Sequence, residues 1–247
     1  MGVIVITGGS RGIGASTALE CAKRGFGVIL TYKSDVDAAN SIVRRISETG
    51  AKAVALELDV SDTSTFAGFR RSVEQMLLQV WNVRRITGLI NNAGHGLFNR
   101  IETVSESEFD GLFNVHLKGP FFLTQTLLPL FSPESSIVNI TSATTRVATA
   151  GVAPYASFKG ALEVLTRYMA KEFGDMRIRV NAVSPGAIRT ELGGGVSREF
   201  EAALISQTAL GRIGEPDEVA RAIVSLFTAD GQWINAQTIE VSGGYVI

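Results

Sequence analysis

A glycine-rich segment near the start of the chain, TGGSRGIG at residues 7–14, has the composition of a phosphate-binding turn. Its spacing is T-G-x-x-x-G-x-G, which differs from the G-x-G-x-x-G dinucleotide fingerprint. Gly8 and Gly12 permit a positive φ or a close backbone approach, and Gly14 lets the following helix pack on a sheet. The amino terminus of that helix would face a pyrophosphate. We expect a dinucleotide there, although such turns also occur without a ligand. The expected contacts come from Gly8, Ser10, Arg11, Gly12, Ile13 and Gly14.

The residues at the end of the apolar run 27–32 indicate which dinucleotide would bind. An acidic residue that binds the adenosine ribose is expected about 20 residues after the glycine turn. The chain has Tyr32, Lys33 and Ser34 there, and no carboxylate. Lys33 and Arg11 can instead meet the 2′-phosphate of NADP as charge-assisted donors. NADP is therefore favoured over NAD, unless both cations are simply solvated surface residues.

Short apolar runs alternate with amphipathic stretches along the whole chain. The runs are rich in β-branched residues and apolar at successive positions, as expected for strands covered on both faces. This alternation predicts a parallel sheet with helices on both sides. The predicted strands are 3–7, 27–32, 53–60, 86–92, 136–142, 178–184 and 237–243, and the predicted helices are 12–24, 35–49, 62–80, 105–130, 153–174 and 216–229. We expect one α/β domain over residues 1–247, a doubly wound seven-stranded Rossmann fold, with a substrate lid at about 186–215.

Composition and charge exclude several classes of function. The formal net charge is -1, from 23 basic and 24 acidic residues, without the basic excess of an electrostatic nucleic-acid binder. Cys21 is the only cysteine, so intrachain disulfides and cysteine-rich zinc sites are excluded, and no metal is expected. No apolar run approaches the ~18 residues of a membrane span. We expect a soluble, cytoplasmic protein that binds a small molecule and neither nucleic acid nor membrane.

Polar and aromatic residues follow the later predicted strands. Residues 91–94, NNAG, end the fourth strand, and Ser142 ends the fifth. Asn114 lies in the helical pattern between them, and Tyr155 and Lys159 open the next helix. A tyrosine and a lysine four residues apart lie on one helix face, about one turn apart. A serine that leaves a strand 13 residues earlier can return to that face through a loop.

This set of motifs resembles the short-chain dehydrogenase/reductase family. YxxxK alone occurs often by chance, whereas the whole set in this order is highly specific. The matching features are TGGSRGIG, Asp59-Val60, NNAG, Asn114, Ser142, YASFK at 155–159 and NAVSPGAIRT at 181–190, so the resemblance covers essentially the whole chain.

The resemblance implies a role for each matching residue. Tyr155 would be the general acid that protonates a carbonyl oxygen. Because tyrosine titrates near ~10, Lys159 would assist it as a fixed cation that also binds the nicotinamide ribose. Ser142 would hydrogen-bond the substrate oxygen, and Asn114 would hold a water that links Lys159 to solvent. Further cofactor contacts would come from Tyr32, Lys33, Ser34, Asp59, Val60, Asn91, Ala93, Gly94, Pro185, Gly186, Ile188 and Thr190, besides Tyr155 and Lys159.

The substrate is less well defined, because a fold of this kind does not fix it. The apolar residues of the lid favour a small or medium, partly apolar ketone or aldehyde. Arg146 would either accommodate a carboxylate or ester or face solvent, and His116, which has no motif partner, is expected at the surface or in the core. The candidate substrate residues are Ser142, Thr144, His95, Val152 and Leu192.

Overall the chain looks most like the 3-oxoacyl-carrier-protein reductases and their relatives. Residues 132–135 and 174–177, however, lack the basic character that would dock an acidic carrier protein. We therefore expect an NADPH-dependent carbonyl reductase. The alternatives are a 3-oxoacyl-carrier-protein reductase, an NAD-dependent alcohol or sugar dehydrogenase, and a non-catalytic NADP(H) sensor, which would be expected to lack Tyr155 or Lys159. The resemblance also implies a homotetramer or homodimer, assembled through 105–130, 153–174 and the tail GGYVI.

Overall fold

A computed structural model of the chain describes residues 2–190 and 198–247. In these ranges seven parallel strands form one sheet, in the order β3-β2-β1-β4-β5-β6-β7. The order reverses between β1 and β4, and ligands of such sheets bind beyond the carboxyl ends of the strands at this point. The predicted doubly wound fold is confirmed. The strands are β1 Val3–Ile6, β2 Gly27–Tyr32, β3 Ala53–Glu57, β4 Ile86–Asn91, β5 Phe131–Ile140, β6 Arg179–Pro185 and β7 Thr238–Val241.

Helices cover both faces of the sheet, which explains why the strands are apolar at successive positions. In β1, Val3 and Val5 belong to one hydrophobic core, and Ile4 and Ile6 belong to the other. The first core contains residues of α3, α5 and α6, and the second contains residues of α1, α2 and α8. The helices in the described ranges are α1 Gly12–Lys23, α2 Val36–Ser47, α3 Phe66–Met76, α4 Glu106–Phe113, α5 Gly119–Leu127, α6 Ala153–Glu172, α7 Arg198–Ser206 and α8 Pro216–Ser225.

The predicted helix over 105–130 is interrupted. It starts as expected, since Ser105 and Glu108 form a capping box at the start of α4. A π-helical turn, Asn114–Lys118, then separates α4 from α5. Pro120 is the second residue of α5, and a proline in a continuing α-helix would lose one backbone hydrogen bond and clash with the carbonyl four residues earlier. The helix widens in this π turn, before the proline, and π turns of this kind are frequent at functional sites.

The predicted lid segment, 186–215, contains α7, and it is held at both ends. Ile188 forms a parallel bridge with Gly214, and Arg189 makes ion pairs with Glu201 of α7 at 2.9 Å and with Glu215 at 3.1 Å. The sequence of this segment also predicts a hinge at the glycine triplet 193–195, and these residues lie outside the described ranges. No helix in the described parts of the chain is long and apolar enough to cross a membrane.

Candidate active site

The glycine turn lies at the carboxyl end of β1, and its geometry requires glycine. Gly8 and Gly12 have φ of 63° and 55°, a region that residues with a side chain rarely adopt. A Cβ on Gly8 would lie 2.9 Å from the Cα of Ala93, and a Cβ on Gly14 would overlap the carbonyl oxygen of Gly8. These positions therefore let α1 and the segment after β4 approach the turn closely.

The amino terminus of α1 suits an anion. Arg11 is its N-cap residue, and within the described residues its side chain makes no capping hydrogen bond. The first backbone N–H groups of a helix have no partner within the helix and carry a partial positive charge. Thr190 lies beside this end, since a Cβ on Gly12 would be 3.5 Å from its methyl group. The residues present thus fit a pyrophosphate between the glycine turn and the segment after β6.

The adenosine side of this cleft holds an ion pair that the sequence did not predict. The Lys33 ammonium lies 2.7 Å from Oδ2 of Asp59. Burial raises the pKa of Asp59, but hydrogen bonds from Lys33 and Ser61 outweigh it and hold the pKa below its ordinary value. Lys33 is therefore partly neutralised by Asp59, which leaves the exposed Arg11 as the stronger candidate for a 2′-phosphate.

Ser142, Tyr155 and Lys159 come together where β5 leaves the sheet and α6 begins. Burial raises the pKa of the Tyr155 phenol, and a hydrogen bond with Ser142 lowers it in part. The Lys159 ammonium lies 5.6 Å from the centre of the Tyr155 ring and donates a 2.7 Å hydrogen bond to the carbonyl of Ile140. Burial lowers the pKa of Lys159 to about 7. The cation thus lies beside the phenol, while its hydrogen bond goes to the backbone.

A buried histidine against Tyr155 is the main feature that sequence reasoning missed. His116 is 1% exposed, and its ring meets the Tyr155 ring edge-on with centroids 5.0 Å apart. Its Nε2 is 2.8 Å from the carbonyl oxygen of His95, so this nitrogen carries the proton. Burial, followed by the charge of Lys159, lowers the pKa of His116 to about 2. A neutral imidazole therefore packs on the tyrosine, beside the half-buried Asn114.

Asn91 ends β4, as expected, and its side chain belongs to a buried hydrogen-bond network. Its side chain is buried and donates to Oδ1 of Asn139 at 2.8 Å and to Oγ1 of Thr124 at 3.3 Å. The side chain of Asn91 is thus engaged within the fold, while its backbone lies at the end of β4, and the expected contact of Asn91 with the cofactor stays a prediction. Asn92 was missed, and it donates to the carbonyls of Thr7 at 2.9 Å and Gly8 at 3.0 Å. Asn92 thus fixes the glycine turn.

The predicted substrate residues fall into different surroundings. Val152 is half-buried at the start of α6, and the His95 ring packs 5.5 Å from that of His116. The Thr144 hydroxyl donates to Oγ of Ser142 at 2.9 Å. Arg146 is exposed, which agrees with the solvent-facing one of its two expected placements, and it donates to both carboxylate oxygens of Glu240, at 2.8 and 3.0 Å. Leu192 lies outside the described residues.

The remaining predicted cofactor residues lie at or after the carboxyl ends of the strands. Ala93 donates its N–H to Oγ1 of Thr7 at 3.0 Å, and Gly94 lies beside the His116 ring. Pro185 ends β6, and the next residue, Gly186, donates to the carbonyl of Val241 at 3.1 Å. The other positions on the adenosine side differ in exposure: Val60 is buried, Tyr32 is half-buried, and Ser34 is exposed.

Comparisons with known proteins agree with this geometry. The family model described as Enoyl-(Acyl carrier protein) reductase matches residues 8–246. An uncharacterized oxidoreductase of Methylorubrum extorquens is 36% identical over 245 residues, which cover 98% of this chain and 96% of that protein. A trihydroxynaphthalene reductase of Pestalotiopsis fici is 31% identical, over 98% of this chain and 88% of that protein.

A solved structure agrees as well. The crystal structure of the angucycline C-6 ketoreductase LanV with bound NADP superposes with a TM-score of 0.95 at 28% identity, over 99% of this chain and 95% of that one. Sequence and fold lead to the same assignment. The chain belongs to the short-chain dehydrogenase/reductase family, with the Rossmann fold of that family.

Proposed function

We propose that the protein is an NADPH-dependent reductase that converts a ketone or aldehyde to an alcohol. One observation carries this proposal: the phenol of Tyr155, the hydroxyl of Ser142 and the ammonium of Lys159 meet beside a glycine turn that fits a pyrophosphate. A proton donor and a hydrogen-bond donor then face one oxygen atom, which is what carbonyl reduction requires.

Each residue has a distinct task in this reaction. NADPH, when bound, would supply the hydride for the carbonyl carbon. Tyr155 donates its proton to the carbonyl oxygen, and Ser142 donates a hydrogen bond to the same atom. Lys159 in its protonated form places a positive charge beside the phenol and holds the nicotinamide ribose, and Asn114 holds a water that connects Lys159 to solvent. In the reverse direction the phenolate accepts the proton of the alcohol.

The cofactor is NADP(H). LanV, a relative with the same fold, is solved with bound NADP. In this chain the position of the ribose-binding carboxylate is Tyr32, and Arg11 is exposed at the amino terminus of α1. An arginine there can bind the 2′-phosphate through two parallel hydrogen bonds. An NAD-dependent alcohol or sugar dehydrogenase would instead need a carboxylate at that position.

The substrate that fits best is a small or medium, partly apolar carbonyl compound free in solution. The two segments that would dock a carrier protein contact each other, since Arg177 lies 3.4 Å from Oε1 of Glu134. This pair engages Arg177, the single cation within residues 132–135 and 174–177, and so weakens it for an acidic partner. The reductases named above act on naphthalene and angucycline compounds by their names, so fused-ring aromatic ketones belong among the candidates. We take the 186–215 segment to be the lid over this substrate.

A homotetramer, or at least a homodimer, is part of the same proposal. Aromatic side chains remain exposed on the helices expected at the interface. They include Phe113 at 36%, Phe121 at 41% and Tyr168 at 64%, and Trp233 near the carboxyl terminus is 99% exposed. Exposed apolar patches of this kind mark interfaces. Within the tail, Tyr245 is buried in its own chain and Ile247 is exposed. Light scattering coupled to size exclusion would oppose the proposal by reporting a monomer.

The test of function is a panel of ketones, aldehydes and alcohols assayed with NADPH and NADH. The panel includes aliphatic ketones, fused-ring aromatic ketones and a 3-oxoacyl-carrier substrate. We expect carbonyl-dependent oxidation of NADPH, with NADH clearly poorer. A much faster reaction with the carrier substrate than with any free ketone would overturn the assignment in favour of a 3-oxoacyl-carrier-protein reductase.

A further inference from the structure

The hydrogen bonds around Ser142 determine where its single proton points. A serine hydroxyl has one proton to donate and two lone pairs that accept. The Thr144 hydroxyl donates to Oγ of Ser142 at 2.9 Å, and the Thr144 backbone N–H donates to the same atom at 3.3 Å. Both lone pairs of the Ser142 hydroxyl are therefore occupied by donors from one residue.

The proton of Ser142 must then go to a third partner. With both lone pairs occupied, this proton points away from Thr144, and a hydrogen bond with Ser142 lowers the pKa of the Tyr155 phenol in part. The three hydroxyls form a directed chain in which Thr144 donates to Ser142 and Ser142 donates toward Tyr155. We propose that Thr144 is a positioning residue, which fixes the hydroxyl of Ser142 as a donor to the reacting oxygen atoms. This role rests on the carbonyl reduction proposed above.

The turn that carries Thr144 is itself fastened to the helix of Tyr155. Residues 143–145 form a single 3-10 turn after β5. The hydroxyl of Thr145 lies 2.8 Å from Oε1 of Glu163 and 3.0 Å from the carbonyl oxygen of Ser142, and its one proton is shared between these two acceptors. Glu163 lies on α6 one turn after Lys159. The distance between Thr144 and Ser142 is thus set by the same helix that places the tyrosine and the lysine.

A serine held as a donor stabilises negative charge on oxygen in both directions of the reaction. Charge develops on the carbonyl oxygen during reduction and resides on the phenolate during oxidation, and donors oriented in advance stabilise such charge without reorganising. Without the Thr144 hydroxyl, Ser142 keeps only the longer bond from the backbone, and its proton becomes free to rotate. The loss of one such hydrogen bond corresponds to about a tenfold effect.

Three variants test this role. Thr144→Val replaces the hydroxyl by a methyl group of similar size, and Thr144→Ser keeps the hydroxyl and removes the methyl. Thr145→Val removes a hydroxyl from the same turn without touching Oγ of Ser142. For Thr144→Val we expect kcat to fall about tenfold, with KM for the carbonyl substrate and affinity for NADPH nearly unchanged. Thr144→Ser should keep kcat near the wild-type value. Thr145→Val should lower the stability of the fold more than it lowers kcat.

The pH profile of alcohol oxidation gives a readout that a purely structural role would not move. The hydrogen bond from Ser142 lowers the pKa of Tyr155 in part. Weakening that bond raises this pKa, so the rate of alcohol oxidation should begin to increase at a higher pH. This shift should occur in Thr144→Val alone. Equal kcat and equal profiles for wild type and Thr144→Val would overturn the proposal. So would a Thr144→Ser variant as impaired as Thr144→Val, because the methyl group would then matter instead of the hydroxyl.

The role of Thr144 can also be tested if no carbonyl compound is found to be reduced. Ultraviolet difference titration of each variant against the same variant carrying Tyr155→Phe isolates the ionisation of this one phenol without any substrate. A higher titration midpoint in Thr144→Val than in wild type supports the directed chain even if no carbonyl compound is reduced. An unchanged midpoint would refute it while leaving the reductase assignment intact.

Discussion

Lys159 should destabilise the folded protein, in a way that depends on pH. Its side chain is buried and lacks an acidic partner among the described residues, and burial lowers its pKa from the ordinary 10.5 to about 7. A change of that size corresponds to roughly 5 kcal/mol of folding free energy when the lysine is protonated in the unfolded chain. The variant Lys159→Met removes this cost, while it leaves the Ile140 carbonyl without its donor, a loss of about 1–3 kcal/mol.

The sign of the pH dependence follows from proton binding. Between about pH 7 and pH 10.5 the unfolded chain holds a proton on Lys159 that the folded protein has released, so wild-type stability rises with pH in this window. Lys159→Met has no such rise. We therefore expect the variant to be more stable than wild type by about 2–4 kcal/mol near pH 6, and this advantage to shrink by about 2.5 kcal/mol by pH 9.

Chemical denaturation without added nucleotide at several pH values measures this difference directly. Lys23→Met is the matched control, because Lys23 is exposed in the last turn of α1, and its effect should be the same at every pH. A difference between Lys159→Met and wild type that stays constant from pH 6 to pH 9 would refute the burial of this ammonium. We also expect Lys159→Met to lose activity. A variant that is more stable but inactive would show that Lys159 serves the reaction and lowers the stability of the fold.

Three further outcomes follow from the site. Arg11→Ala should raise KM for NADPH about tenfold and barely change KM for NADH in steady-state assays, since a charge-assisted phosphate contact is lost; equal effects on both would contradict the phosphate contact. His116→Leu should lower kcat about tenfold through loss of its edge-on contact with Tyr155, with NADPH affinity retained by fluorescence titration, and a wild-type kcat would show that the contact is dispensable. Asn91→Ala should cost about 2–3 kcal/mol in thermal unfolding because Asn139 loses its donor, and unchanged stability would contradict the buried network.

The sequence was sufficient for the strands and for the residues on α6. Runs such as VIVI and GVILTY are apolar on both faces, which only a doubly covered sheet accommodates. Helical spacing places Tyr155 and Lys159 on one face of α6, and the resemblance of the whole set of motifs singles them out. Local patterns of this kind are visible in the sequence because neighbouring residues produce them.

Features that depend on distant residues could not be predicted in the same way. Arg146 and Glu240 are 94 residues apart, and no local pattern joins them or Lys33 and Asp59. His116 faces Tyr155 in a π turn, whereas regular helical spacing gives no reason to associate it with the tyrosine. The strand β5 begins at Phe131, before the predicted start at 136. The sequence did not indicate this earlier start because Pro133 and Glu134 resemble a turn, and the register between β4 and β5 is irregular there.

The most direct test of the central claim compares wild type with Tyr155→Phe. NADPH carrying deuterium at its transferable position is supplied with a reducible ketone, and the alcohol is analysed by mass spectrometry. The proposed mechanism predicts that wild type places the deuterium on the former carbonyl carbon. It also predicts that Tyr155→Phe loses orders of magnitude in turnover while its Kd for NADPH stays within about twofold, because the phenolic proton serves the chemical step. A Tyr155→Phe variant that turns over at the wild-type rate would contradict the assignment of Tyr155 as the proton donor.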